Sequence, residues 1–307
     1  MEGSLIKTIE TALKNFKGKI LYHESLSKYT SLKVGGKADA VVFPLHLQDL
    51  THLLEKIKES RIPFLTLGAG SNLIIQDGGF RGIVIKLNHF NRIEKLDSNT
   101  FYAESGVLLP CLLKYTLEAS LTGFEFICSI PGSVGGALKM NAGISGREIS
   151  DVVTSIRILT YQGGLLEIDK KEASFGYRTS KFPNGILLGG VFSLQPAPKH
   201  EVQEKISLLL KKRRESQPLS YPNVGSIFKN PKGTFAGKLI EEVGLKGFQI
   251  GGAQISEKHG NFIINKGRAT SSDIILLIKK AGKAVESQKG VVLELEVKIV
   301  GKGAAHG

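Results

Sequence analysis

The chain has 307 residues, with 41 Lys and Arg against 28 Asp and Glu, a formal net charge of +13 at pH 7. A hydrophobic share of 41% and a charged share of 22% exclude a disordered or fibrous polymer and leave room for two domains with cores of their own. Two cysteines, Cys111 and Cys128, exclude a disulfide framework and a multi-cysteine metal site and fit a reducing compartment. Leu5, Ile6, Ile9, Ala12, Leu13 and Phe16 fall at helical spacing and predict an opening amphipathic helix. A strand over 40–44 follows, then a helix carried by Leu47, Leu50, Leu53, Leu54 and Ile57, then a strand over 64–67 that runs directly into Gly68. Short strands at 83–87, 93–96 and 101–104 precede a helix over 108–119. Beyond a Gly/Ser-rich stretch, Gln162-Gly163-Gly164 joins strands 152–160 and 165–168 as a hairpin, and another strand covers 186–194.

Gln195-Pro196-Ala197-Pro198 reads as a linker. After it a helix spans 201–216 and ends in Lys211-Lys212-Arg213-Arg214, where cations complement the helix dipole. A short strand at 227–228, a helix over 236–243, strands near 248–250 and 262–264, a helix over 272–287 and an alternating strand over 291–300 complete the chain. The order is mixed α+β, with no internal repeat. No stretch reaches the roughly 20 apolar residues of a membrane helix, and the N-terminal pattern lacks the apolar block of a signal peptide. A soluble, cytoplasmic protein without membrane insertion is expected.

The surplus of +13 calls for an acidic partner: nucleic acid, anionic lipid or a phosphorylated small molecule. Absence of Trp, an aromatic share of 7% and a basic run without interleaved stacking residues argue against nucleic acid. The 36 glycines are clustered, which lets backbone approach a ligand or simply makes tight turns. Gly68-Ala69-Gly70-Ser71-Asn72 follows a strand like a dinucleotide fingerprint, but Leu73 stands at the third glycine and no helix follows. What is left is a turn, either structural or a nest of N–H groups able to hold a pyrophosphate. Ser129-Ile130-Pro131-Gly132-Ser133-Val134-Gly135-Gly136, closed by Asn141-Ala142-Gly143, has too many glycines for a buried strand and follows too apolar a segment for a linker. A rigid loop wrapped on a flat or phosphorylated ligand fits it.

Six segments in order resemble one family. They are Tyr29-Thr30-Ser31-Leu32-Lys33-Val34-Gly35-Gly36, Gly68–Asn72, Ser129–Gly136, Phe175-Gly176-Tyr177-Arg178, Gly225-Ser226-Ile227-Phe228-Lys229-Asn230-Pro231 and Leu293-Glu294-Leu295-Glu296-Val297. Together they resemble the UDP-N-acetylenolpyruvoylglucosamine reductases, in the shorter form that lacks an added Tyr loop. Only 47 positions separate Arg178 from Ser226.

The resemblance implies an α+β protein with an FAD-binding domain of the vanillyl-alcohol-oxidase type and a smaller α+β substrate-binding domain. It implies FAD as cofactor, NADPH as reductant and a UDP-sugar as substrate, with no metal and no nucleic acid, and a monomer is expected. The expected organisation is a helical lead-in at 1–28, the FAD domain at 29–196, the substrate domain at 197–301 and a tail at 302–307. By motif position Arg178, Ser226 and Glu296 are the expected catalytic residues. The flavin falls to Gly68, Ala69, Gly70, Ser71, Asn72, Ser129, Ile130, Pro131, Gly132, Ser133, Gly135, Gly136, Asn141, Ala142 and Gly143, and the substrate to Arg214, Lys229 and Asn230. Read without the resemblance, Arg178 fits an ordinary surface Arg, Ser226 a turn residue, and Glu296 the solvated face of an alternating strand. Lys258-His259 is a substrate-side segment in that family, but a lone His more often has a structural role.

Overall fold

The computed structural model describes residues 2–144 and 146–303. Met1 of the expected lead-in and residues 304–307 of the expected tail lie outside the described residues. The chain divides into two compact units. The first gathers the chain up to Tyr22 with Asp39–Ala69 and Gly82–Lys211, and the second gathers His23–Ala38, Gly70–Arg81 and the chain from Lys212 onward.

The first unit is built on two sheets. One is four-stranded, in the order Lys19–Tyr22, Ala38–Phe43, Phe80–Ile85, Phe64–Thr66, with the last pair parallel. All six residues of Ala38–Phe43 are buried, Asp39 included, so the strand is covered on both faces rather than alternating between core and solvent. The helices Glu2–Leu13 and Leu47–Glu59 bury Ile9, Leu13, Leu50, Leu53, Leu54 and Ile57 in the same core, as their helical spacing predicts. The second sheet is antiparallel and five-stranded, in the order Leu165–Asp169, Val153–Thr160, Gly185–Ser193, Thr100–Glu104, Ile93–Lys95. Phe101, Phe124 and Phe192 pack together in its core, with ring centroids 5.2–6.2 Å apart.

Two expectations need correction in this unit. The stretch expected as a linker is pinned: Gln195–Pro196 pairs with Leu121–Thr122, and Ala197 N donates to Ser120 O at 2.9 Å. The stretch expected as a rigid loop turns into a short helix at Val134–Met140.

The second unit carries a four-stranded antiparallel sheet, in the order Asn223–Ser226, Phe262–Asn265, Ala253–Ile255, Gln249–Ile250. The helices Ala236–Glu242 and Ser271–Lys289 close its core through Leu239, Ile240, Ile274, Leu277 and Ile278. The longer helix starts with a capping box between Thr270 and Asp273, and Asp77 accepts hydrogen bonds from Ser271 N and Ser272 N at 2.8 and 3.0 Å. The strand expected over 291–300 is shorter than its alternation suggests. Lys298–Val300 pairs in parallel with Leu73–Ile75, whereas Leu295 forms an isolated bridge to Phe228. The alternating run serves two partners and bends between them. Of the helix Lys199–Ser216, only Val202 is fully buried, and Ile206 and Leu209 are half-buried. Among the described residues no helix is long and apolar enough to cross a membrane.

Candidate active site

In the first unit, strand Phe64–Thr66 delivers Gly68 and Ala69, both half-buried. The Lys86 ammonium, just past strand Phe80–Ile85, donates to Gly68 O. Burial pulls that ammonium down to about 8. A Cβ on Gly68 would lie 2.7 Å from Ser133 Oγ, so these two expected cofactor segments meet.

The second glycine-rich segment is pinned from beneath. Leu109 N donates to Gly132 O, Val134 N to Val107 O and Gly135 N to Ser105 O, at 2.9–3.0 Å. Gly135 is needed for that close approach, since its Cβ would sit 2.8 Å from Ser105 Cβ and Oγ. Gly136 differs: it is exposed, and a Cβ there would meet only Ser133 Oγ at 3.7 Å. Ser133 Oγ is itself buried with no hydrogen-bond partner among the described residues. A side-chain-free surface beside an unsatisfied hydroxyl is what a flat, phosphorylated cofactor would use. Ser129 and Ile130 are half-buried beside it and Pro131 is exposed.

Asn141 ends the short helix in the left-handed region, at φ 44°, and is 1% exposed. Its Nδ2 donates to Glu148 Oε2 at 2.7 Å and to Gly176 O at 3.1 Å, and its Oδ1 accepts from Ser150 N at 3.0 Å. Asn141 therefore braces neighbouring segments with its amide. Ala142 N donates to Ala137 O, and Gly143 lies opposite Glu148 in a two-residue pairing.

Arg178 occupies the two-residue turn between Ser174–Gly176 and Thr179–Lys181, at φ 55°. A non-glycine residue held there is uncommon and marks a backbone that its surroundings over-determine. Its guanidinium nitrogen lies 3.9 Å from Glu148 Oε1, and its side chain is 19% exposed, which sets aside the reading of an ordinary surface Arg. Ser180 Oγ donates to Lys139 O at 2.7 Å, tying the hairpin to the helix Val134–Met140. Glu148 thus joins Asn141 to Arg178. Neither Glu148 nor Lys86 was signalled by any spacing in the sequence.

In the second unit, Ser226 follows Gly225 at a β-bulge. Asn223 pairs with Ile264 but Ser226 with Phe262, which leaves one extra residue on the Asn223–Ser226 strand. Gly225 supplies the φ of 78° that this needs, and its N–H is held by Asn223 Oδ1 at 2.9 Å. Ser226 is half-buried. Immediately after it, Ile227 O accepts from Glu296 N at 2.9 Å, and Lys229 N donates to Glu294 O at 2.8 Å. The backbones that carry Ser226 and Glu296 are therefore neighbours. Asn72 Nδ2 donates to Glu296 O at 3.1 Å and Asn72 O accepts from Lys298 N at 3.0 Å, so Asn72 braces the Glu296 backbone. Gly70 is buried, with its carbonyl accepting from Ser31 N at 3.1 Å, and Ser71 is half-buried.

The expected substrate residues differ in setting. Lys229 pairs with the exposed Glu294 carboxylate at 2.6 Å, and Asn230 Oδ1 accepts from Ala236 N at 3.1 Å. Arg214 lines an open cleft of about 390 Å³ with Gln217, Tyr221, Ser256, Lys258 and Lys266. His259 is a packed residue: its ring lies 4.7 Å from that of Phe262, its Nδ1 accepts from Asn261 N, and burial lowers its pKa.

Residues 217–300 match the family model described as the UDP-N-acetylenolpyruvoylglucosamine reductase C-terminal domain, and residues 38–169 match an FAD binding domain. The curated UDP-N-acetylenolpyruvoylglucosamine reductase of Geobacillus thermodenitrificans is 45% identical over 285 residues, covering 92% of this chain and 93% of that one. The chain belongs to this family. The corresponding Carboxydothermus hydrogenoformans reductase is 41% identical over 298 residues, covering 96% of this chain and 99% of that one. The crystal structure of the Thermus caldophilus reductase superposes with a TM-score of 0.79 at 33% identity, over 93% of this chain and 99% of that one. Within the reductase family frame, the glycine-rich segments of the first unit fall in the FAD-binding match, and Ser226 and Glu296 fall in the C-terminal match.

Proposed function

We propose that this chain reduces UDP-N-acetyl-3-O-(1-carboxyvinyl)glucosamine to UDP-N-acetylmuramate in peptidoglycan precursor synthesis. FAD is its cofactor, NADPH its reductant, and Arg178, Ser226 and Glu296 its catalytic residues. The observation that carries the residue assignment is the pairing of the segment after Ser226 with the segment that holds Glu296. Two family motifs about 70 residues apart become one braced ladder.

The residues present fit FAD. Gly68, Ala69 and the Ser129–Gly136 segment, with its open Gly136 surface and the Ser133 hydroxyl, would hold it. When bound, FAD supplies two-electron transfer between NADPH and carbon. Reduction of an enol ether that bears a carboxylate builds negative charge on that carboxylate. The planar guanidinium of Arg178 offers the paired donors that stabilise such charge, and its turn conformation holds it in place. The product also needs a proton at the α-carbon, which Ser226 Oγ donates, and the Glu296 carboxyl shares charge or a proton with the developing intermediate.

Arg214, Lys229 and Asn230 are assigned to the UDP-sugar. Support comes from the cleft that Arg214 shares with Lys258 and Lys266, whose cations suit a diphosphate. The flavin domain is assigned to 29–196 and the substrate domain to 197–301, a division supported by the matches at 38–169 and 217–300, although the compact unit that holds residues 217–300 also takes in His23–Ala38 and Gly70–Arg81. The enzyme is further assigned to the cytoplasm, as a monomer.

Anaerobic stopped-flow absorbance tests this function. NADPH should bleach the flavin bands and the enolpyruvyl substrate should restore them. Colourless protein that takes up no FAD, or a reduced flavin that only oxygen reoxidises, would overturn the proposal.

A further inference from the structure

We infer that Asn261 is a positioning residue for Ser226, locking the chain just after it so that the hydroxyl keeps one direction. This rests on the reading of Ser226 as the proton donor. Asn261 is 2% exposed, and its side-chain amide grips one residue from both ends. Its Oδ1 accepts from Phe228 N at 2.9 Å and its Nδ2 donates to Phe228 O at 2.7 Å. Its backbone carbonyl accepts from Ile227 N at 2.9 Å. The two residues that follow Ser226 are therefore both held by Asn261.

Strand Phe262–Asn265 begins only after Asn261, so the ladder runs out just beyond the pair that Ser226 forms with Phe262. The Asn261 amide carries the same donor and acceptor as a peptide and continues it. The other edge of the segment is taken by the Glu296 strand, with Glu296 N donating to Ile227 O and Lys229 N to Glu294 O. Upstream, Gly225 is held through its N–H by Asn223 Oδ1, but no atom lies within 4 Å of where its Cβ would be. A bulge re-aims the side chain beside it, and here the firmer restraint on that aim comes from downstream. Asn261 is itself fixed, since its N–H donates to His259 Nδ1 at 3.2 Å. His259 packs so closely on Gly237 that a Cβ there would lie 3.0 Å from its ring. A buried amide network with its partners in place holds one arrangement. A role in the fold alone would weaken every step of the reaction alike, whereas positioning affects only the step that uses Ser226.

The test is a double-substitution cycle in holoenzyme, read by anaerobic stopped-flow in the two half-reactions. Asn261→Ala should slow reoxidation by the enolpyruvyl substrate at least about tenfold, with flavin reduction by NADPH within about twofold of wild type. On top of Ser226→Ala it should add nothing. The double variant should reoxidise within about twofold of Ser226→Ala, because the group being positioned is gone. Asn261→Asp keeps an acceptor for Phe228 N but, as a carboxylate, has no donor for Phe228 O. It repeats the cycle and should show the same non-additivity. Losses that multiply in the double variant, equal slowing of both half-reactions, or wild-type reoxidation in Asn261→Ala would overturn the inference. So would failure of both Asn261 variants to fold or to hold FAD. Wild-type reoxidation in Ser226→Ala would instead sink the proton-donor reading itself, and this inference with it.

Discussion

Replacing Asn141 by alanine probes the brace between the cofactor segment and the Arg178 turn. The substitution removes three hydrogen bonds, of 2.7, 3.1 and 3.0 Å, around a residue that is 1% exposed. At about 1 kcal/mol each they sum to ~3 kcal/mol. Alanine in the left-handed region that Asn141 occupies at φ 44° adds about 1 kcal/mol. The expected loss is therefore ~4 kcal/mol, in the upper tail for single substitutions, or roughly 10 °C in Tm. Asn141→Gly separates the two contributions. It loses the same hydrogen bonds but tolerates the backbone, so it should recover about 1 kcal/mol of the loss. Urea unfolding of the three apoproteins, with m-values compared, measures this directly. If both variants lie within about 1 kcal/mol of wild type, the amide does not brace these segments and the reasoning fails.

The two glutamates near the C-terminus separate by partner. Glu296→Gln should slow flavin reoxidation by the enolpyruvyl substrate strongly. Glu294→Gln, whose carboxylate is 73% exposed and paired with Lys229, should mainly raise KM. Equal effects in single-turnover kinetics would remove the basis for choosing Glu296. Asp77 gives a pH signature. Burial alone would raise its carboxyl, but the hydrogen bonds from Ser271 and Ser272 hold it below the usual value. A depressed folded value stabilises above the ordinary carboxylate range and is lost as pH falls through it. Asp77→Asn should thus lower the urea midpoint at neutral pH, and its deficit should shrink below about pH 4. A deficit independent of pH would contradict the capping account.

Periodicity recovered much of the fold. The helices Leu47–Glu59 and Ser271–Lys289 and the Gln162–Gly164 hairpin stand where apolar spacing and turn residues place them. Patterns failed where one segment answers to two partners. The run 291–300 alternates like a single strand, yet its halves pair with Phe228 and with Leu73–Ile75. The helix Val134–Met140 was hidden by Gly135 and Gly136, which weaken helix propensity, and Gly135 allows the approach of Ser105. The proposal of Arg178, Ser226 and Glu296 came from their ordered motifs. The residues that support them were not legible: Glu148 reaches Asn141 and Arg178, Asn72 reaches Glu296, and Lys86 reaches Gly68 across separations that no local rule spans.

The measurement that bears most directly on the catalytic assignment is anaerobic stopped-flow of Ser226→Ala in its two half-reactions. Flavin reduction by NADPH should proceed at close to the wild-type rate, while reoxidation by the enolpyruvyl substrate should slow by at least about a hundredfold. Reoxidation at the wild-type rate would contradict Ser226 as the proton donor.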